Sequence, residues 1–146
     1  MRVSELMSRE LVTVPVGATM KGVAGQMLQN GVGSVIVLND ETPAGIVTEM
    51  DALRVGYATN KPFEEVPVRK VMSRPLKTVG PNKTVRTAIG RMRTEGIKKL
   101  PVVSGFDLVG IITMSDIIFN HGELLNEARQ LESGRGTRDP DEWRGG

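Results

Sequence analysis

Gly45-Ile46-Val47-Thr48-Glu49-Met50-Asp51 and Gly110-Ile111-Ile112-Thr113-Met114-Ser115-Asp116 are two versions of one string. Outward from them, Val3–Leu53 lies over Val68–Ile118 without a gap. Met7-Ser8-Arg9 falls on Met72-Ser73-Arg74, and Leu11, Thr13 and Val14 fall on Leu76, Thr78 and Val79. Thr19 matches Thr84, Gly31 matches Gly96 and Val37 matches Val102. The chain is a tandem repeat of two copies. A period this long, present only twice, favours a closed pair of half-domains over an open array. A duplication that keeps polar positions as well as apolar ones points to a repeated binding site, because a shared core needs only the apolar set.

Each copy reads as strand, helix, strand, strand, helix. A short strand is expected near Leu11–Val14. Thr19 then stands as an N-cap before a helix with Met20, Val23, Ala24, Met27 and Leu28 on one face. Gly31 suits the left-handed residue that ends it. Ser34–Leu38 and Ala44–Thr48 read as a hairpin around Asn39–Pro43, with helix resuming at Glu49 towards Tyr57. In the second copy Thr84 caps, Gly96 closes, and Leu100–Val103 and Leu108–Thr113 are the hairpin strands. The expected boundaries are 1–58 for the first repeat, 59–67 for a linker and 68–132 for the second repeat. The last includes a helical extension through Leu124, Leu125, Ala128 and Leu131, and 133–146 reads as a polar, disordered tail. The fold class is mixed α/β (α+β): two β-α-β-β-α units with their sheets packed together about a pseudo-twofold axis.

Composition narrows the function. Of the 146 residues 39% are hydrophobic and only 3% aromatic, so Val, Ile, Leu, Met and Ala must build the core. Without cysteine there are no disulfides or thiolate metal sites. His121 is the lone histidine, which leaves no basis for a His-based triad or a His–carboxylate metal cluster. No base beside a nucleophile is visible, so a non-enzymatic role is expected. No apolar run suits a membrane span, the N-terminus lacks a signal-peptide core, and a cytoplasmic location is the expectation. The net charge of +2 hides an asymmetry. Between Val66 and Leu100, Arg69, Lys70, Arg74, Lys77, Lys83, Arg86, Arg91, Arg93, Lys98 and Lys99 face only Glu95. That bias suits either a solvated surface or an anionic partner: a phosphate-bearing small molecule or a nucleic acid. Scarce aromatics weigh against base stacking.

The two strings carry the chemistry. A Thr-x-x-Asp at a strand-to-helix junction is by itself a capping arrangement, with the carboxylate near the positive end of the helix dipole. Three features add to that. The glycine lets another backbone or a flat ligand come close. The threonine sits at a strand's C-terminal edge, where α/β folds bind ligands. A carboxylate one turn in can accept two hydrogen bonds from adjacent ribose hydroxyls. Capping and ligand binding are compatible in the same groups.

The paired strings, Met-Ser near the start of each copy and Gly96-Ile97-Lys98-Lys99-Leu100-Pro101-Val102-Val103 in the second resemble a tandem cystathionine-β-synthase (CBS) domain pair, or Bateman module. The resemblance covers about Met1–Phe119. It implies a disc-like dimer of tandem pairs that binds AMP, ADP, ATP or S-adenosylmethionine in clefts between the repeats, as a regulatory ligand rather than a required cofactor. It implies adenylate or energy sensing passed on through a homodimer or an unidentified protein target. On this likeness Asp51 and Asp116 hold ribose hydroxyls, and Thr48 and Thr113 touch ribose or phosphate. Backbone near Thr13–Val14, Thr78–Val79, Val35–Val37 and Leu100–Val102, including Pro101, frames the adenine. Arg54 occupies a position where the family often carries a phosphate-binding base; its match, Phe119, departs from that pattern. Lys98 and Lys99 stand where the first copy has Gly33 and Ser34, either as phosphate contacts or as surface charges. The two clefts should therefore differ in phosphate preference.

Overall fold

The structure is a computed structural model, and it describes residues 1–120. His121, the expected helical extension and the expected tail lie outside the described residues. In chain order the elements are α1 (Val3–Leu6), β1 (Thr13–Pro15), α2 (Met20–Asn30), β2 (Ser34–Asn39), β3 (Thr42–Thr48), α3 (Glu49–Ala58), α4 (Val85–Glu95), β4 (Lys99–Ser104), β5 (Asp107–Thr113) and α5 (Met114–Phe119). Single 3₁₀ turns at Phe63–Glu65 and Val68–Lys70 connect the halves.

The mixed α+β character follows from local signals. α2 and α4 both end on glycines in the left-handed region, Gly31 at φ 62° and Gly96 at φ 68°, a conformation that costs glycine nothing. The β2–β3 and β4–β5 hairpins bury their residues in the same pattern, position for position. Each carries a register shift at the same place, Val37/Leu38 and Val102/Val103. Both turns also need one left-handed residue, which is Asp40 in the first copy and Gly105 in the second.

The expected third strand differs between copies. β1 runs parallel to β2, with Thr13 opposite Ile36 and Pro15 opposite Leu38, flanked by Ile36 N–H to Val12 O and Val16 N–H to Leu38 O. In the second copy only one parallel bridge survives, Val79 opposite Val102. The residues matching Ile36 and Val16 are Pro101 and Pro81. Neither has an N–H, so both flanking ladder bonds are impossible.

The helix starts also differ. Thr84 caps α4 as expected, its Oγ1 accepting from Thr87 N–H at 3.1 Å. Thr19 holds the N-cap position of α2, yet its hydroxyl makes no capping bond. Instead Met20 N–H donates to Val66 O at 2.8 Å. Thr84→Ala should therefore lower stability by about 1 kcal/mol, and Thr19→Ala by clearly less; parallel urea melts of the two variants check the difference.

Among the described residues the chain forms two compact units whose borders do not follow the repeats: Met1–Leu11 joins residues 77–120, and Val12–Leu76 makes the other. The core of the first-named unit contains Val3, Val79, Ala88, Met92, Leu100, Val102, Ile112 and Ile117. That of the second contains Val14, Met20, Val23, Met27, Val35, Val37, Val47, Val66 and Val68. Each repeat is thus completed by the segment that leads into the other. Val3 N–H bonds Lys83 O, Met1 O takes Val85 N–H, and Ser8 pairs both ways with Ile111 at 2.8 and 2.9 Å. Correspondingly, Val68 N–H bonds Ala18 O, Val66 O takes Met20 N–H, and Ser73 pairs both ways with Ile46 at 2.9 and 3.3 Å. Residues 59–67, expected as a linker, contribute the buried Val66 to this exchange.

Candidate functional site

The two glycines that open the strings lie where these lead segments cross. A Cβ on Gly45 would sit 2.8 Å from Met72 Sδ and 3.0 Å from Ser73 O; one on Gly110 would sit 2.7 Å from Met7 Sδ and 2.8 Å from Ser8 O. Of the two visitors a glycine admits, the structure therefore shows the backbone, with the repeated Met-Ser as that backbone. The glycines position the strand beneath the site rather than forming its wall.

Two residues beyond each bridge, the strand ends and the helix begins. In the first copy Thr48 N–H donates to Asp51 Oδ2 at 2.8 Å, Thr48 Oγ1 is 3.1 Å from the same oxygen, and Asp51 N–H reaches Thr48 Oγ1 at 3.4 Å. In the second, Thr113 N–H donates to Asp116 Oδ2 at 3.2 Å and Asp116 N–H to Thr113 Oγ1 at 3.0 Å. Both are capping boxes, which satisfy two helix-end amides reciprocally. Each box orients one carboxylate oxygen, Oδ2, inward. The other oxygen differs between copies: Asp51 Oδ1 meets Arg54 Nη1 at 3.4 Å, whereas Phe119 stands at the matching position of the second copy.

Strand pairing brings the remaining first-copy residues to the same end of the sheet. Ser34 lies opposite Thr48, and Thr13 beside Ile36, so the starts of β1 and β2 lie towards the sheet end where β3 finishes. Gly33 O accepts the first amide of α3, from Glu49, at 3.1 Å. Thr13 is exposed, while Val14 is buried in the core. A shallow depression lined by Thr13, Val14, Pro15, Val16, Leu38, Asn39 and Asp40 runs from Thr13 along β1 towards the β2–β3 turn, away from Thr48.

In the second copy Lys99 lies opposite Thr113, and Lys98 O accepts Met114 N–H at 2.8 Å, which places both lysines next to the box. Lys98 is exposed and Lys99 half-buried. Leu100 and Pro101 are buried, so only their backbone can meet a ligand. The backbone of Val79 is already used: its N–H bonds Pro101 O and its carbonyl accepts from Val103 N–H. The Thr78 carbonyl accepts from Arg91 Nη1, a contact that sequence reasoning missed, because Gln26 holds the matching position and bonds Asn30 locally instead. Lys77 pairs with Glu95 at 3.6 Å. Part of the basic stretch is thus spent inside the fold, and the stretch is divided between the two units, with Arg69, Lys70 and Arg74 in one and Lys77 onward in the other. Among the described residues no group of three His, Asp or Glu side chains is placed to hold a metal, and no helix is long and apolar enough to cross a membrane.

Comparison with known proteins agrees with this architecture. The family model for the CBS domain matches residues 3–57 and again 68–121. An uncharacterised protein of Methanopyrus kandleri is 36% identical over 118 residues, covering 80% of this chain and 60% of its own length. A second uncharacterised protein, from Methanocaldococcus jannaschii, is 37% identical over 84% of this chain and 63% of its own length. This chain therefore spans about three-fifths of these relatives. The solved structure of a CBS domain protein of Pyrobaculum aerophilum complexed with AMP has a TM-score of 0.76 at 31% identity, covering 88% of this chain and 99% of that one. With the model matched twice and the pseudo-repeat visible bond by bond, the chain belongs to the CBS domain family as a tandem pair.

Proposed function

We infer that the chain is a non-enzymatic regulatory module that binds an adenosine-containing ligand (AMP, ADP, ATP or S-adenosylmethionine) through Asp51 and Asp116. The observation that carries this reading is the Thr-x-x-Asp box present twice, each time at a sheet end with only one carboxylate oxygen, Oδ2, taken by the cap. The AMP complex of the P. aerophilum relative supports adenylate as the ligand class. Thr48 and Thr113 fix the two carboxylates. Thr13 lies at the same sheet end in the first copy, and Lys98 and Lys99 lie beside the box in the second. The signal passes to a second copy or a partner chain. For the former, Met50, Leu53 and Tyr57 on α3 support a second copy: they recur at helical spacing and are 53%, 67% and 95% exposed, a stripe too apolar to face water without reason. Binding of nucleic acid by the basic stretch has no comparable support.

Each charged hydrogen bond to a ribose hydroxyl contributes about 1.5–3 kcal/mol. Asp51→Ala with Asp116→Ala should therefore abolish calorimetric AMP and ATP binding while urea unfolding stays cooperative. Native mass spectrometry of the same samples reads ligand mass and subunit number together. Undiminished nucleotide binding in the double variant refutes the assignment of these carboxylates.

A further inference from the structure

We propose that Arg54 is a built-in competitor for the first site: it occupies the outward oxygen of Asp51 and so makes that site select ligands carrying an anionic group over the bare nucleoside. This rests on the reading of Asp51 as the ribose-binding group. The capping box consumes Asp51 Oδ2, which accepts from both Thr48 N–H and Thr48 Oγ1. A vicinal diol needs the remaining acceptor capacity of the carboxylate, most of it on Oδ1. Arg54 Nη1 stands at that oxygen, 3.4 Å away, while its own side chain is 72% exposed and that of Asp51 only 13%. The carboxylate is held from behind by its box and cannot turn away; the arginine is free to leave. An uncharged nucleoside must strip the guanidinium from Asp51 and leaves it with no partner but water. A ligand with a phosphate gives the displaced guanidinium a new acceptor within the same encounter. Exchange of partners then costs the phosphorylated ligand little and the nucleoside the whole ion pair.

The second copy supplies an internal contrast. Among the described residues, Asp116 Oδ1 has no hydrogen-bonding or ion-pair partner, and Phe119 replaces the arginine. A competitor acting on Asp51 alone makes the two repeats unequal in what they discriminate, although both carry the same reciprocal capping box.

The test uses the full chain with Asp116→Ala, which silences the second site, and measures adenosine and AMP affinity by calorimetry with and without Arg54→Gln. An exposed ion pair of this kind is weak. Removing it should raise adenosine affinity about two- to fivefold while lowering that for AMP, so the AMP-to-adenosine ratio collapses. Added salt, which screens exposed pairs, should strengthen adenosine binding when Arg54 is present and leave the Arg54→Gln chain indifferent. Arg54→Lys should restore part of the discrimination. If Arg54→Gln weakens AMP but leaves adenosine unchanged, Arg54 is a plain phosphate contact and the competitor idea is overturned. If the chain with Arg54 intact binds neither ligand, and Asp51→Ala changes nothing, the ribose-binding reading itself has failed.

Discussion

Gly110→Val is expected to lower unfolding free energy by about 3 kcal/mol or more. Nothing is wrong with valine in a strand as such. The obstacle is what lies across from it. The first added carbon meets Met7 Sδ at 2.7 Å and Ser8 O at 2.8 Å. The methionine can swing aside; the carbonyl cannot, because Ser8 and Ile111 exchange two backbone hydrogen bonds of 2.8 and 2.9 Å. Relief requires pulling the lead segment off β5 and breaking both. Gly110→Ala should cost less, about 1–3 kcal/mol. Gly45→Ala should be the mildest, since the matching carbonyl is 3.0 Å from the new carbon and one of its bridge bonds is already stretched to 3.3 Å. Urea titration of the three variants gives the order Gly110→Val, Gly110→Ala, Gly45→Ala. An alanine at either glycine without loss of stability would contradict the close approach. The bridge at Ile111 lies two residues before Thr113, so the same substitution should also loosen the second box and weaken whatever ligand Asp116 holds.

How much of this was legible beforehand divides along local and non-local lines. Gly31 and Gly96 could be read as helix ends because a left-handed residue after a helical stripe has few alternatives. The hairpins and both Thr-x-x-Asp caps were readable for the same reason: each involves residues within a few positions of one another. The exchange of lead segments was not. Val3 and Val68 are the same residue in matching contexts, and either core would accept either one, so hydrophobicity cannot say which goes where. The repeated Met-Ser was a usable signal, since a pair kept in both copies outside any helix has to touch something kept in both copies. The shortened third strand was also within reach: asking which N–H groups the ladder needs leads directly to Pro81 and Pro101. Arg54 was visible as a basic residue one turn from Asp51, but its occupation of the carboxylate depends on rotamers, and the reach of Arg91 to Thr78 spans a helix.

The exchange makes a prediction that the repeat boundaries alone would reverse. Val3 sits in the first copy by sequence, yet it is fully buried among Val79, Leu100, Val102 and Ile112 of the second. Val3→Asp places a carboxylate there with no partner. Burial of an unpaired charge is among the few changes that cost about 4 kcal/mol or more. The damage should fall first on β4 and β5, so amide hydrogen exchange should accelerate most across Lys99–Ser104 and Asp107–Thr113, and less across Ser34–Asn39 and Thr42–Thr48. Val68→Asp should give the mirror image, because Val68 is fully buried in the core built on Val23, Val35 and Val47. Val3→Ala, at about 1–2 kcal/mol, keeps the comparison informative should the aspartate variants fail to fold: the gradient should point the same way, only shallower. Exchange that quickens first in Ser34–Thr48 after a change at Val3 would mean that each lead segment stays with its own repeat. The glycines at 45 and 110 would then lack the neighbours that explain them.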